Sequence, residues 1–226
     1  MSEEKYEYNG HGEGSYPDFI KESQTAYQAA GDPALERLLA KKQGEYTIED
    51  YYALPKTCRV ELMDGVIYNM TAPTYRHQGV GGELFVRFHQ YIMDHQGSCF
   101  PFMSPIDVQL DRDDKTMVQP DLIVTCNRDE VRERVYYGAP DFVIEILSPS
   151  NTLKEQNRKY HKYKNAGVRE YWDVDPWKKL VTVHDFEHKK EPAVYTFEDK
   201  VPVGIFRGDL EIDFAEIYEN IQFLYE

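Results

Sequence analysis

The chain alternates short apolar runs with longer amphipathic stretches, a pattern that predicts strands interleaved with helices. The runs are rich in Val, Ile, Leu and Phe, which is the composition of strands. They predict a hairpin at 59–70 around Asp64-Gly65, and then strands at 98–111, 116–125, 141–148, 169–175, 179–187 and 193–198. Apolar positions at steps of three and four predict helices at 75–95 and 151–167, a short helix at 46–55 with Thr47 as its cap, and a terminal helix at 213–221.

This order of elements predicts the α/β fold class, with a central mixed β-sheet flanked by helices. The stretch from Ile146 through the helix at 151–167 to Tyr171 predicts a strand–helix–strand unit. Residues 1–44 show little periodicity beyond one or two short amphipathic helices, and they predict a partly flexible N-terminal appendage. Residues 45–226 then form the main domain.

Composition and charge restrict the classes of function. The chain of 226 residues has no apolar run of 18 residues, which argues against a membrane span, and its N-terminus is acidic and polar, unlike a signal peptide. We therefore predict a cytoplasmic protein. The three cysteines are odd in number and widely spaced, which predicts reduced thiols. The net charge of -14 means that the acids collect a cation, that the charge lies away from the working surface, or that the partner is not a polyanion.

Two acids interrupt the most apolar strands. Asp121 lies in "VQPDLIVT" and Glu145 in "APDFVIEILSPS", where an isolated charged carboxylate would cost several kcal/mol. Pro120 cannot donate to a sheet ladder, so it marks a bend or an edge at Asp121. A lone acid of this kind is more often an edge residue facing water or the partner of an arginine. Two of them together favour a site for Mg²⁺ or Mn²⁺, which prefer carboxylate oxygens.

A lysine and a third acid belong with this pair. Lys159 lies on the inward stripe of the predicted helix at 151–167, although Lys162 is close to the same stripe and Glu155 offers an exposed ion pair as an alternative for Lys159. Glu61 lies on the predicted hairpin, where a solvent-facing Glu is the simpler interpretation. Two acids and a lysine are the groups that metal-dependent phosphodiester hydrolysis requires.

The order of several motifs resembles the Uma-two family of restriction endonucleases, a branch of the PD-(D/E)XK nuclease superfamily. The resemblance covers roughly 46–220 and rests on the succession "VELMDG", "RHQGV", "PIDVQL", "VQPDLIV", "GAPDFVIEILSPS" and "K-x-x-x-Y-x-x-AGVREYWDVDP". It implies a restriction-endonuclease-like core over 45–226, a Mg²⁺- or Mn²⁺-dependent endonuclease, DNA as the partner, and a homodimer.

The resemblance also implies roles for individual residues. Asp121 and Glu145 are the two acids that hold the metal, and Glu61 is an additional acid that joins the metal shell. The superfamily's lysine position is Leu147 here, and the spacing to "AGV" assigns the catalytic lysine to Lys159, with Lys162 as the alternative. Glu155 occupies a place where the family has an acid.

Three further residues are candidates for substrate binding. Arg76 and His77 open the helix at 75–95, where they either meet a phosphate or cap and pack the helix. Gln119 lines the site or pairs across strands. Asp173 and Asp175 are interpreted as turn residues. The alternative function is a catalytically inactive nuclease-fold protein that binds a partner or a ligand; a hydrolase acting on something other than DNA is a further option.

Overall fold

The computed structural model describes residues 40–55 and 58–226. The predicted N-terminal appendage lies outside these ranges up to residue 39, so the domain boundary at residue 45 stays a prediction. The chain divides into two compact units, the first with described residues 40–55, 58–70 and 114–116, and the second with 71–113 and 117–226. None of the helices in the described ranges combines the length and the apolar character that crossing a bilayer requires.

The first unit contains a short helix and a hairpin. Helix α1 (Ile48–Ala53) begins with a capping box, because Thr47 accepts from the amide of Asp50 and the Asp50 side chain accepts from the amide of Thr47. Strands β1 (Val60–Met63) and β2 (Val66–Asn69) pair antiparallel across Asp64 and Gly65, which both have positive φ. This is the turn that the Asp-Gly dipeptide predicts. A Cβ at Gly65 would collide with the carbonyl oxygen of Gly44.

The second unit is built on a six-stranded mixed sheet in the order β10-β9-β8-β7-β5-β3. Its strands are β3 (Phe100–Met103), β5 (Leu122–Thr125), β7 (Phe142–Ile146), β8 (Glu170–Asp175), β9 (Leu180–Asp185) and β10 (Ala193–Thr196). Its helices are α2 (Tyr75–Asp94), α3 (Leu153–Ala166) and α4 (Phe214–Ile221). Two small ladders join β4 (Val108–Gln109) to β6 (Tyr136–Tyr137) and β11 (Lys200–Pro202) to β12 (Glu211–Asp213). The predicted fold class is confirmed.

The two faces of the sheet differ in chemistry because side chains alternate along each strand. One face is apolar and forms the hydrophobic core of the second unit. Its buried members come from the strands and from α2 and α4: Val80, Leu84, Phe88, Ile92, Leu122, Val124, Phe142, Ile144, Trp172, Val174, Phe214 and Ile217. The opposite face carries Asp121, Glu145 and Asp173, so the acids are separated from the core by the thickness of the sheet.

Helix α3 is the crossover that makes β7 and β8 parallel, as the predicted strand–helix–strand unit requires. It begins with a capping box between Thr152 and Glu155 and ends at Gly167, whose φ of 98° is in the left-handed region. Glu155 therefore closes the first turn of the helix through its bonds to Thr152. This fixed start sets which side chains of α3 project over the acidic face.

One prediction about the cysteines is wrong. Cys99 and Cys126 form a disulfide, whereas reduced thiols were predicted. The cause is the pairing of β3 with β5, in which Phe100 lies opposite Thr125. The next pair in that register is Cys99 with Cys126, so two residues that are 27 apart in sequence face each other. The third cysteine, Cys58, is a free thiol.

Candidate active site

Asp121 and Glu145 lie side by side on the acidic face of the sheet. Asp121 immediately precedes β5, and Glu145 is the fourth residue of β7. The antiparallel register places Leu122 opposite Ile144, and its continuation by one residue places Asp121 opposite Glu145. Residues opposite each other in antiparallel strands have Cβ atoms roughly 5 Å apart and project to the same face. The two acids predicted from the sequence are therefore brought together.

Asp121 is held by two hydrogen bonds to the same oxygen. Its Oδ2 accepts from the backbone amide of Ile146 at 2.8 Å and from Nε2 of His77 at 3.1 Å. His77 comes from the first turn of α2, which Thr74 caps. Because a carboxylate only accepts, Nε2 carries the proton of the imidazole. Both bonds end on Oδ2, and neither involves Oδ1 of Asp121.

Glu145 is buried and is held by helix α3. Its Oε1 accepts from Nζ of Lys159 at 2.9 Å and from the hydroxyl of Tyr163 at 2.5 Å. Lys159 and Tyr163 are four residues apart, on one face of α3. Lys162, the rival of Lys159, is instead paired with Asp111 at 2.5 Å. Of the two lysines, Lys159 is thus the one whose ammonium group lies at the acidic pair.

A third acid continues the row, and its interpretation as a turn residue is wrong. Asp173 lies within β8, opposite Glu145 in the parallel register. It is buried, accepts from the hydroxyl of Tyr171 at 2.5 Å, and lies 3.7 Å from Nε2 of His184. Burial, together with the negative charges of Asp173 and Glu145, raises the pKa of Tyr171 well above its ordinary value, so its hydroxyl stays a donor.

The three predicted substrate-binding residues have different environments. The guanidinium of Arg76 stacks between the rings of Trp177 and Tyr225, and its Nε donates to the carbonyl of Leu224 at 2.7 Å. This is the packing alternative considered for Arg76, and a contact of Arg76 with phosphate stays a prediction.

His77 is close to Asp121 in the structure, and Gln119 is two residues before Asp121 in the sequence. Besides its bond to Asp121, His77 has a buried Nδ1 with no hydrogen-bond partner among the described residues. Gln119 donates from Nε2 to Oδ1 of Asp107 at 2.9 Å. Their contact with substrate stays a prediction, as does the role of Glu61, which is buried in β1 of the first unit.

The donor set fits a hard divalent cation of the kind that keeps part of its water shell. Mg²⁺ is commonly bound by one or two carboxylates together with water and substrate phosphate. Asp121 and Glu145 supply two carboxylates, and the charge of Lys159 leaves one net negative charge among the three. Within the described ranges, no group of three or more His, Cys, Asp or Glu side chains is placed so that it could hold a metal ion. The structure thus places two carboxylates and the ammonium group of Lys159 together on this face of the sheet.

The chain is similar to one protein family and to one solved structure. The model of the Uma2 family, described as "Putative restriction endonuclease", matches residues 48–215. A crystal structure of "a putative nuclease belonging to DUF820" from Anabaena variabilis ATCC 29413 has a TM-score of 0.64 and 21% sequence identity to this chain. The alignment covers 76% of this chain and 97% of that chain, and at this identity it shows a shared fold. No curated protein matches the chain.

Proposed function

The chain belongs to the Uma2 family, and from this premise we propose that it is a metal-dependent endonuclease that hydrolyses phosphodiester bonds of DNA. The family description supports a nuclease; the DNA substrate, the divalent cation and the roles of the residues are our proposal. One observation carries it: Asp121 and Glu145 face each other on neighbouring strands, with the ammonium of Lys159 at 2.9 Å from Glu145.

Asp121 and Glu145 would hold Mg²⁺ or Mn²⁺. When bound, such a cation polarises the scissile phosphate and acidifies a water molecule. The carboxylates must be held in place before the cation arrives, because a precise coordination geometry depends on the groups that orient each ligand. His77 and the amide of Ile146 orient Asp121, and Tyr163 orients Glu145.

Lys159 is the residue that we assign to the attacking water. Its ammonium bonds to Glu145 and is mostly shielded from solvent, so it presents a positive charge beside the place where the phosphate is expected. A fixed cation of this kind orients a water molecule and stabilises the negative charge that develops on the phosphate in the transition state. The same charge would be much less effective in open water.

The oligomeric state is also part of the proposal. A homodimer would supply two active sites, one for each strand of a duplex. The cytoplasmic location stays a prediction.

A cleavage assay with Mg²⁺ and Mn²⁺ tests the function. Asp121→Asn and Glu145→Gln keep the size of each side chain and remove its charge, and we expect each to lower the cleavage rate at least about 100-fold. Asp185→Asn is the matched control: Asp185 is another buried acid, on β9, bonded to Lys190 and His188. Retention of cleavage by both site variants contradicts the assignment.

A second candidate function is a catalytically inactive nuclease-fold protein that binds a partner or ligand. It is favoured by the ion pair between Lys159 and Glu145, because the ammonium group already compensates the negative charge of one carboxylate without a metal ion. The same assay separates the two. A wild-type chain that binds oligonucleotides but leaves DNA and RNA intact at every concentration of Mg²⁺ and Mn²⁺ is a binding module.

A further inference from the structure

A cleft lies on the acidic face of the sheet, next to Asp121. Its volume is about 500 Å³, and it is bordered by residues of β3 and of the segment 131–136. Ile123 forms part of the cleft and is two residues after Asp121, so the two side chains project to the same face. Gln119, two residues before Asp121, also lines it. The cleft therefore begins beside the candidate active site.

Two arginines of the cleft have no carboxylate partner. Neither Arg132 nor Arg134 forms an ion pair within the described ranges, and the guanidinium of Arg132 stacks on the ring of Tyr137 at 3.8 Å. Five other arginines of the second unit donate to a carboxylate or a backbone carbonyl, namely Arg76, Arg87, Arg112, Arg128 and Arg169. The exposed Arg207 resembles the two cleft arginines in having no ion pair within the described ranges. In a chain with a net charge of -14, Arg132 and Arg134 place two positive charges at this cleft.

The remaining lining suits a planar, partly polar ring. Phe102 and Ile123 are paired across β3 and β5, and Val131 is 41% exposed to solvent. Two acids are also present, Asp107 and Glu133. Carboxylates accept hydrogen bonds from exocyclic amino groups, apolar side chains contact the face of a base, and arginines bind phosphate. These three chemistries are combined in one nucleotide, whereas a free phosphate would use only one of them.

We propose that this cleft binds one unpaired nucleotide of the substrate strand, next to the scissile phosphate, with Arg132 and Arg134 on its phosphate. The volume is within the range of roughly 300–1,000 Å³ that is usual for small-ligand sites. A base that is stacked in a duplex cannot enter such a cleft, so the ligand is single-stranded nucleic acid or a locally opened duplex. The assignment rests on the proposed nuclease function, because the nucleotide in the cleft belongs to the strand that the proposed active site cleaves.

The test is the binding of a fluorescein-labelled single-stranded DNA oligonucleotide, measured by anisotropy in EDTA at several salt concentrations. We expect Arg132→Ala/Arg134→Ala to weaken binding at least about tenfold and to reduce the slope of log affinity against log salt by about 0.7, the contribution of the one single-strand phosphate that both arginines contact. Val131→Asp, which places a negative charge in the cleft, should weaken binding to a similar degree.

Matched controls are available at the other side of the second unit. Lys190→Ala/Lys200→Ala removes two exposed, ion-paired positive charges, and Val194→Asp places a charge on an exposed valine of the opposite edge strand, β10. Both controls should stay within about twofold of the wild type. Wild-type affinity in the cleft variants, or equal losses in the controls, overturns the cleft assignment.

The failure of the cleft and the failure of the proposed function give different results. If the cleft variants bind normally while Glu145→Gln abolishes cleavage, only the cleft assignment is wrong. If the wild type neither binds nor cleaves the oligonucleotide, the nuclease proposal and the cleft assignment are both wrong. Thermal unfolding of each variant verifies that the exposed substitutions leave the fold intact.

Discussion

Replacement of Tyr163 by Phe tests how the candidate site is held together. The hydroxyl of Tyr163 is buried and donates to Oε1 of Glu145 at 2.5 Å. Phe keeps the ring and leaves no cavity, and the substitution removes the hydrogen bond to Glu145. A hydrogen bond to a charged group contributes about 1.5–3 kcal/mol. We expect the free energy of unfolding to fall by about 2 kcal/mol.

The expected shift is large enough to measure in a chain of this size. For a chain of 226 residues, 1 kcal/mol moves the unfolding midpoint by roughly 2–4 °C, so Tyr163→Phe should lower Tm by about 4–8 °C. The same change leaves Lys159 as the main donor to Oε1 of Glu145, and the carboxylate is then less well oriented. Loss of such an orienting group typically weakens metal binding about 10–100-fold.

The free energy of unfolding is measured in EDTA by thermal and urea unfolding, with circular dichroism as the signal. Tyr75→Phe is the control, because Tyr75 is 86% exposed and its hydroxyl should contribute less than about 0.5 kcal/mol. A double-mutant cycle of Tyr163→Phe with Glu145→Gln isolates the pair, and we expect a coupling energy above about 1 kcal/mol. A loss below about 0.5 kcal/mol in Tyr163→Phe, or additive effects in the cycle, would refute this description of the site.

Two further predictions concern Tyr171 and Gly167. Because the pKa of Tyr171 is raised in the folded chain, its contribution to stability is present below the unfolded value of about 10 and is lost as the pH rises through the folded pKa. The free energy of unfolding of the wild type should therefore fall more steeply between pH 9.5 and 11, by up to about 1.4 kcal/mol per pH unit, than that of Tyr171→Phe; equal slopes in urea titrations would contradict the raised pKa. Gly167→Ala should destabilise the chain by about 1 kcal/mol in the same urea assay, because φ is 98° at this position, and an unchanged midpoint would show that the helix end tolerates a side chain.

The elements that the sequence predicts well have strong local signals. Residues close together in sequence predict the turn at Asp64-Gly65, the caps at Thr47 and Gly167, and the strand–helix–strand unit. The apolar run of β7 with a single acid at Glu145 also predicts a functional position, because burial makes an uncompensated charge costly. Local chemistry was therefore sufficient for the fold class and for the choice of the two acids as candidates.

The features that the sequence left open depend on register between distant segments. Lys159 and Lys162 are three residues apart on α3, and only the packing of the helix over the sheet directs one to Glu145 and the other to Asp111. The disulfide of Cys99 with Cys126 has the same origin in the pairing of β3 with β5.

Asp173 is a third feature that depends on register between distant segments. In "EYWDVD", Asp173 is two residues after Tyr171, so the sequence predicts that both side chains lie on the same face of a strand. The position of Asp173 beside Glu145, however, requires the parallel register of β7 and β8. Nothing in the local sequence fixes that register, because a shift of one residue would place Asp173 on the apolar face.

The central claim is that Asp121 and Glu145 form a site for a divalent cation. Isothermal titration calorimetry of Mn²⁺ into the wild type and into Asp121→Asn/Glu145→Gln measures this directly and does not depend on the substrate. We expect saturable binding of Mn²⁺ to the wild type and no saturable binding to the double variant. No saturable heat in the wild type, or equal binding by both proteins, would contradict it.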